Sequence, residues 1–395
     1  MTARQDCQRE AGTVDFTFSE EQRAAVEAAR AVFSGVAPDG VPSPALTPGA
    51  VAEDIDRRLW GALAASDLLG LTLPEEYGGA GLDPVALCLV LRESAKVLAR
   101  VPLLESCAVA MTVGRYGERA LAAELLPRSV RGELVLTAAA NGSTGHAPAE
   151  RAVAARPEGA GSAASGWVLD GVQSAVPWAQ AADRIAVPAH TADGRTVLAL
   201  VDPGRAGVTL ADQVSTNGER MAEVRLDGVR AETHEVIDAA GAWEWLRSLL
   251  TTGTCALALG LGERVLAMTA EYTGKREQFG FPVATFQAVA VQAADRYIDL
   301  RAMEVTLWQA AWRISTGAGG PLPPAGDIAV AKIWASEGVR RIVQTAQHLH
   351  GGFGADTDYP LHRFHAWAKQ IELSLGPAAA HEAALGDLLA DHPLS

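Results

Sequence analysis

The chain has 395 residues, 49% of them apolar and 20% charged, which suits a globular protein of two or three domains with substantial cores. A formal net charge of −14 argues against a nucleic-acid partner or a basic membrane-surface protein, and no apolar run approaches the length of a membrane span. Four cysteines, Cys7, Cys88, Cys107 and Cys255, form no Cys-x-x-Cys pair, which points away from a zinc site or disulfide framework and towards reduced thiols in a cytoplasmic protein.

Residues 1–15 read as a tail, and 16–131 as a helical domain. Ser19 is placed to cap a helix before Glu20-Glu21-Gln22, with an apolar face through Val26, Ala29 and Phe33. Four prolines and three glycines between Gly35 and Gly49 demand a loop. Helical texture resumes over 51–69, over 84–98 and on to about Leu126. Between these helices the string Leu73-Pro-Glu-Glu-Tyr-Gly-Gly-Ala-Gly-Leu82 reads as a turn. Residues 132–236 change to short alternating runs, such as Trp167-Val-Leu, Arg184-Ile-Ala-Val, Thr196-Val-Leu-Ala-Leu-Val and Ala222-Glu-Val-Arg-Leu, and form a β-domain. From 237 to 391 the pattern is of long amphipathic helices, interrupted by the Gly317–Gly326 loop.

The first long helix carries Leu259, Val265, Leu266 and Met268 and should stop near Gly280 and Pro282, since proline cannot continue its hydrogen bonding. The next starts near Thr285, with an apolar face through Val289, Ala293, Tyr297, Leu300, Leu307, Trp308 and Ala311. Their corner, Tyr272-Thr-Gly-Lys-Arg-Glu-Gln-Phe-Gly-Phe-Pro-Val-Ala-Thr-Phe-Gln287, presents a cation, an aromatic and two amides together. A guanidinium matches phosphate geometry, and an aromatic face stacks a purine. A later string, His348-Leu-His-Gly-Gly-Phe-Gly, offers glycines where a backbone must be approached closely. His-x-His with no carboxylate or cysteine beside it is a poor ligand set, so no metal is expected.

The corner, the Leu73–Leu82 string and the order helix, sheet, helix resemble the acyl-CoA dehydrogenases, flavoproteins that desaturate acyl thioesters between the α and β carbons. The resemblance implies an α+β fold with an N-terminal helical domain, a middle β-domain and a C-terminal four-helix bundle. It implies flavin adenine dinucleotide (FAD) at a subunit interface, with Arg276 neutralising the pyrophosphate, Gln278 bonding to it, Phe279 near the adenine and Gln287 helping to hold the dinucleotide. Gly351 and Gly352 match the family's close-approach pair, and His348 stands where the family has glutamine. The Leu73–Leu82 string is structural in this comparison, at the edge of the substrate cleft.

Removing an α proton from an acyl thioester needs a carboxylate within hydrogen-bond reach. The family supplies a glutamate from one of two places. One lies twenty-three residues after the second glycine of the pair and directly before a glycine, which here is Leu375, followed by Gly376. The other lies twenty-six residues before the turn arginine, which here is Leu250. Leucine accepts no proton. Glu372, about one helical turn from Leu375, is the candidate replacement, with Glu244 a weaker one. The β-domain departs too. Leu136-Thr-Ala-Ala-Ala-Asn-Gly-Ser-Thr-Gly145 keeps only Gly142 and Ser143 of a flavin-side loop, and Ala175-Val176-Pro177 lacks the family's hydroxyl.

The string from Tyr359 to Gly376 resembles actinobacterial steroid side-chain enzymes, heterotetramers in which one subunit lacks the base yet completes its partner's flavin site. The expectation is therefore a base-deficient subunit with a homologous partner, acting on an acyl-CoA or carrier-bound acyl thioester. Two alternatives stand beside it: a homomeric FAD-dependent dehydrogenase or oxygenating relative using Glu372, and a non-catalytic assembly protein that has lost flavin.

Overall fold

The computed structural model describes residues 17–38, 43, 47, 50–52, 54–145, 150–158 and 166–393; the 1–15 tail, Cys7 and much of the Gly35–Gly49 loop lie outside them. Helix α1 (Glu20–Phe33) starts with a reciprocal cap, in which Ser19 Oγ accepts from the Gln22 amide at 3.2 Å and Gln22 Oε1 accepts from the Ser19 amide at 3.0 Å. Helix α2 (Arg57–Ala65) is shorter than the 51–69 expected, because Asp56 caps it through the Leu59 amide at 2.9 Å. Helices α3 (Pro84–Ala95), α4 (Leu103–Tyr116) and α5 (Arg119–Val130) complete the first region. In the turn before α3, a Cβ on Gly79 would lie 2.0 Å from the Leu73 carbonyl oxygen, so glycine serves close packing there.

Eight strands follow: β1 (Leu136–Ala138), β2 (Val153–Glu158), β3 (Gly166–Pro177), β4 (Arg184–His190), β5 (Thr196–Val201), β6 (Val208–Val214), β7 (Arg220–Glu232) and β8 (Val236–Ile237). They form one sheet in the order β6-β7-β3-β2-β4-β5-β8, with β1 parallel to β4. The β3–β7 register slips between Gln173 and Val176, where Ala175 takes a left-handed φ of 51°.

The chain then runs through α6 (Ala242–Lys275), a hairpin of β9 (Glu277–Gln278) and β10 (Phe281–Pro282), α7 (Gln287–Thr316), α8 (Pro324–His350), α9 (Leu361–Leu373) and α10 (Ala378–Asp391). Helices α6, α7 and α8 pack on one another and α10 packs on α8. Among the described helices α6 alone is long and apolar enough to cross a membrane, and 78% of that window is buried inside the protein. It ends five residues before Gly280, because the Arg276 amide makes its last bond to Tyr272 and the chain turns into the hairpin. The expected face of α7 divides. Leu300, Leu307 and Ala311 are buried, but Tyr297 is exposed, together with a stripe of Val291, Ile298 and Val305 at heptad spacing. The first turns of α7 therefore stand clear of this chain's own bundle.

Candidate functional site

Phe279 and Gly280 are the central residues of the β9–β10 hairpin, with φ of 55° and 80°. A two-residue turn of this kind demands two left-handed residues, which glycine adopts freely and phenylalanine adopts under strain. Phe279 is also 91% exposed. Arg276, exposed at the end of α6, has no ion pair or hydrogen bond from its guanidinium among the described residues. Gln278 donates from Nε2 to the neighbouring Glu277 carbonyl at 2.8 Å, and Gln287 is exposed at the start of α7.

The end of α8 lies against this corner. Tyr272 stacks on His350 at 4.4 Å between centroids and on Phe353 at 5.3 Å. His348 faces solvent with Nδ1 3.0 Å from Gln292 Oε1, whereas His350 is buried, so the two histidines are not a ligand pair. No group of three metal-binding side chains occurs among the described residues. A Cβ on Gly351 or Gly352 would meet no atom within 4 Å. The corner thus gathers Arg276, Gln278, Phe279, Gln287, His348, Gly351 and Gly352 at one end of the bundle, with the Arg276 guanidinium unspent among the described residues and the Gly351–Gly352 backbone open to approach. That chemistry fits the phosphates and purine of a dinucleotide.

A second feature lies where helical domain, sheet and bundle meet: a cavity of about 130 Å³, walled mainly by apolar side chains. Leu250 from α6 and Leu375 after α9 both line it, 3% and 6% exposed. Leu375 has a left-handed φ of 58° and is tied on both sides. Its amide donates to Asn141 Oδ1 at 3.2 Å, and His381 Nε2 lies 2.9 Å from its carbonyl oxygen. Asn141 in turn donates to the Ala175 carbonyl at 2.9 Å. Lys332, fully buried, donates to the carbonyls of Ile371 and Glu372 at 3.2 and 3.0 Å. Burial pushes the Lys332 ammonium down to about 8 and His381 down to about 4.

The structure does not bring Glu372 to this cavity. Its carboxylate accepts from Lys369 Nζ at 2.7 Å and is outside the lining. The helical-turn argument linking it to Leu375 fails to apply because α9 ends at Leu373 and the left-handed Leu375 breaks the periodicity. Glu244 is exposed. The polar groups expected on the flavin side of the β-domain are spent internally: Ser143 Oγ donates to Glu150 at 2.5 Å, and the Ala175 amide donates to Gln213 Oε1 at 2.8 Å.

An acid that the sequence reading missed does line the cavity. Glu105, in the first turn of α4, accepts a hydrogen bond from the Trp178 side chain, and burial pushes its pKa up to about 7. In sequence it looks like an acid favoured by the helix N-terminus. The signal available was its isolation among Leu103, Leu104, Cys107 and Ala108. Glu219 also lines the cavity, but Arg100 Nε pairs with it at 2.5 Å.

Residues 19–133 match the family described as Acyl-CoA dehydrogenase, N-terminal domain, and residues 250–387 match Acyl-CoA dehydrogenase, C-terminal domain. The chain is also 36% identical to the acyl-CoA dehydrogenase FadE27 of Mycobacterium tuberculosis over 86% of its own length and 89% of that protein's. The chain belongs to the acyl-CoA dehydrogenase family. Members of the family are FAD-dependent oxidoreductases. The structure of the ChsE4-ChsE5 complex from Mycobacterium tuberculosis superposes with a TM-score of 0.87 at 34% identity, covering 96% of this chain and 100% of that one. A variant of the Tcur3481-Tcur3483 steroid ACAD superposes at 0.84 with 37% identity, covering 94% and 98%.

Proposed function

We propose that this chain is the base-deficient subunit of a heteromeric acyl-CoA dehydrogenase, whose Arg276 corner completes an FAD site held mainly by a homologous, base-bearing partner. The substrate class is an acyl-CoA or a carrier-bound acyl thioester, and the compartment is the cytoplasm. Bound FAD supplies the hydride acceptor for α,β-desaturation. Leu250 and Leu375, at both customary positions of the base, wall the cavity with hydrocarbon and take no proton.

The observation that carries this reading is the separation of corner from cavity. Leu250 and Arg276 lie on one continuous helix and its cap, so 26 residues at about 1.5 Å each put them roughly 39 Å apart. A dinucleotide clasped by Arg276 therefore serves a reaction centre other than this chain's own cavity. The Arg276 guanidinium is unspent among the described residues, while the flavin-side donors of the β-domain are committed within the chain. Two of the similar solved structures, the ChsE4-ChsE5 complex and the Tcur3481-Tcur3483 steroid ACAD, are named for two unlike subunits, which supports a partner of the same kind.

In this reading Arg276 and Gln278 bind the pyrophosphate, Phe279 covers the adenine, and Gln287, His348 and the Gly351–Gly352 backbone hold the remainder. The test is flavin absorbance and acyl-CoA desaturation, measured on the chain alone and after co-expression with a base-bearing homologue. Flavin and turnover are expected only from the co-expressed complex. Stoichiometric flavin with turnover in the chain alone overturns the proposal, and a complex that never holds flavin favours a purely structural subunit.

A further inference from the structure

The Gly351–Gly352 backbone owes its place to the residue before it. Helix α8 ends at His350, and Gly351 follows with φ of 60° and ψ of −137°, a conformation that favours glycine. His350 is buried and tied down through both its ring and its backbone. The ring stacks on Tyr272 of α6, with 4.4 Å between centroids and 20° between planes. Nδ1 lies 2.8 Å from the Ala346 carbonyl oxygen, Nε2 lies 3.1 Å from the Tyr359 hydroxyl, and the Tyr272 hydroxyl donates to the His350 carbonyl at 3.4 Å. Phe353 closes the group by packing on Tyr272 and Tyr359, at 5.3 and 4.6 Å.

These contacts fix the protonation state. A carbonyl oxygen only accepts, so Nδ1 carries the proton, and the lone pair of Nε2 is left to accept from the Tyr359 hydroxyl. The imidazole is therefore neutral. A proton added at Nε2 turns the Tyr359 hydroxyl from donor to acceptor and puts a charge on a buried ring that no carboxylate bonds among the described residues. The charged and titratable groups packed around it are Arg264, Glu271, Tyr272 and Lys275 on α6 and Tyr359 ahead of α9, with Glu271 paired to Lys275 at 2.6 Å. Arg296 on α7 bonds Thr345, more than a turn before His350, while His348 on its own helix turns to Gln292, and Asp356 and Asp358 beyond the glycines are exposed. Burial holds His350 below its ordinary value of 6.5. A folded pKa below the unfolded one makes this arrangement most stable above pH 6.5 and weakens it as pH falls through the folded value.

We infer that His350 is a positioning residue of the corner: as a neutral imidazole it holds the Gly351–Gly352 turn against α6 where the dinucleotide passes, and its protonation loosens the turn and releases flavin. The inference rests on the Arg276 corner being a flavin site, and adds to that reading a pH dependence and the residue that sets it. An aromatic that served packing alone would do as well as phenylalanine and would give no such dependence.

The test uses the complex co-expressed with a base-bearing homologue and reads flavin affinity by absorbance between pH 7.5 and pH 5. Wild type is expected to weaken about tenfold or more across this range, which one unit of pKa difference between the held and the loosened histidine supplies. His350→Phe, which keeps the stack on Tyr272, is expected to hold flavin without that fall, and His348→Gln to keep the fall. A fall as steep in His350→Phe as in wild type, or one lost in His348→Gln, overturns the proposal. Gly352→Ala separates this outcome from failure of the flavin reading, because a Cβ there meets no atom of this chain within 4 Å. Flavin weakened by Gly352→Ala beside a flat wild-type profile overturns the role of His350 alone, whereas flavin untouched by Gly352→Ala overturns the corner and this inference with it. Should His350→Phe not fold, or the complex hold no flavin, the imidazole nitrogen resonances of the full chain decide. A proton on Nδ1 alone at pH 7.5 and on both nitrogens at pH 5 is expected, and a proton on Nε2 at pH 7.5 or a ring still neutral at pH 5 overturns the proposal.

Discussion

Replacing Glu105 by glutamine should make the protein more stable at alkaline pH, and by an amount that its burial sets. The carboxyl has an ordinary value of 4.5 and is pushed up to about 7 in the folded chain. Its folded pKa lies above its unfolded one, so between these values the native state keeps a proton that the unfolded chain releases, and stability falls as pH rises. Two and a half units correspond to roughly 3 kcal/mol, fully present as destabilisation above pH 7 and absent below about pH 4.5. Glutamine has the same shape and no charge to desolvate. The variant should therefore match wild type at pH 4.5 and exceed it by about 3 kcal/mol at pH 8. With an unfolding entropy of about 2.1 cal/mol/K per residue, that is near 4 °C in Tm for a chain of this length. Scanning calorimetry from pH 4.5 to 8 reads the difference. His381, depressed to about 4, raises the stability of both proteins as pH rises towards its ordinary value of 6.5, and cancels in the subtraction. A flat difference curve, or a wild type more stable than the variant at pH 8, refutes the claim that the carboxyl is desolvated with no cation beside it.

Phe279→Gly should stabilise the isolated chain by about 1 kcal/mol in urea titration, by relieving a left-handed phenylalanine, while lowering the flavin retained by a co-expressed complex. Arg276→Ala should leave the chain's own stability within about 0.5 kcal/mol, since its guanidinium has no partner within the chain, and weaken flavin retention about tenfold or more. Gly260→Ala should destabilise by about 3 kcal/mol or more or prevent folding, because its Cβ would lie 1.9 Å from the Arg92 carbonyl oxygen where α6 crosses α3; soluble expression and circular dichroism check it. Lys332→Met should cost about 2–4 kcal/mol in urea titration, by leaving the Ile371 carbonyl unpaired in the core and the Glu372 carbonyl with Ser336 Oγ alone.

What was legible in the sequence depended on how local the cause was. The Ser19 cap, the turn glycines and the existence of a break between the two long helices are properties of a few adjacent residues and appear in the fold, although α6 ends at Lys275, earlier than Gly280 and Pro282 imply. The Arg276 corner was legible because its residues are close in sequence and its guanidinium is spent on nothing among the described residues. Glu105 was not, because an acid in a first helical turn looks ordinary until α4 and α9, far apart in sequence, meet at one chamber. The face of α7 was half legible. Periodicity identifies apolar stripes, but an apolar stripe that meets a neighbouring molecule looks the same as one that meets the chain's own core, so Tyr297 was read as buried.

The turn that puts a leucine at the customary position of the base is not loosened. The turn that bears Leu375 remains over-determined: Asn141 holds its amide, His381 its carbonyl, and Lys332 ties down the end of α9 one turn earlier. A left-handed leucine and a buried lysine are both unfavourable on their own and persist only where surrounding structure is kept to support them. Trp178, just past the end of β3, is also left-handed and lines the cavity. Two left-handed residues, Leu375 and Trp178, on the wall of one chamber mark a chamber held to shape. In the proposed heteromer this geometry is kept while the proton transfer falls to the base-bearing partner.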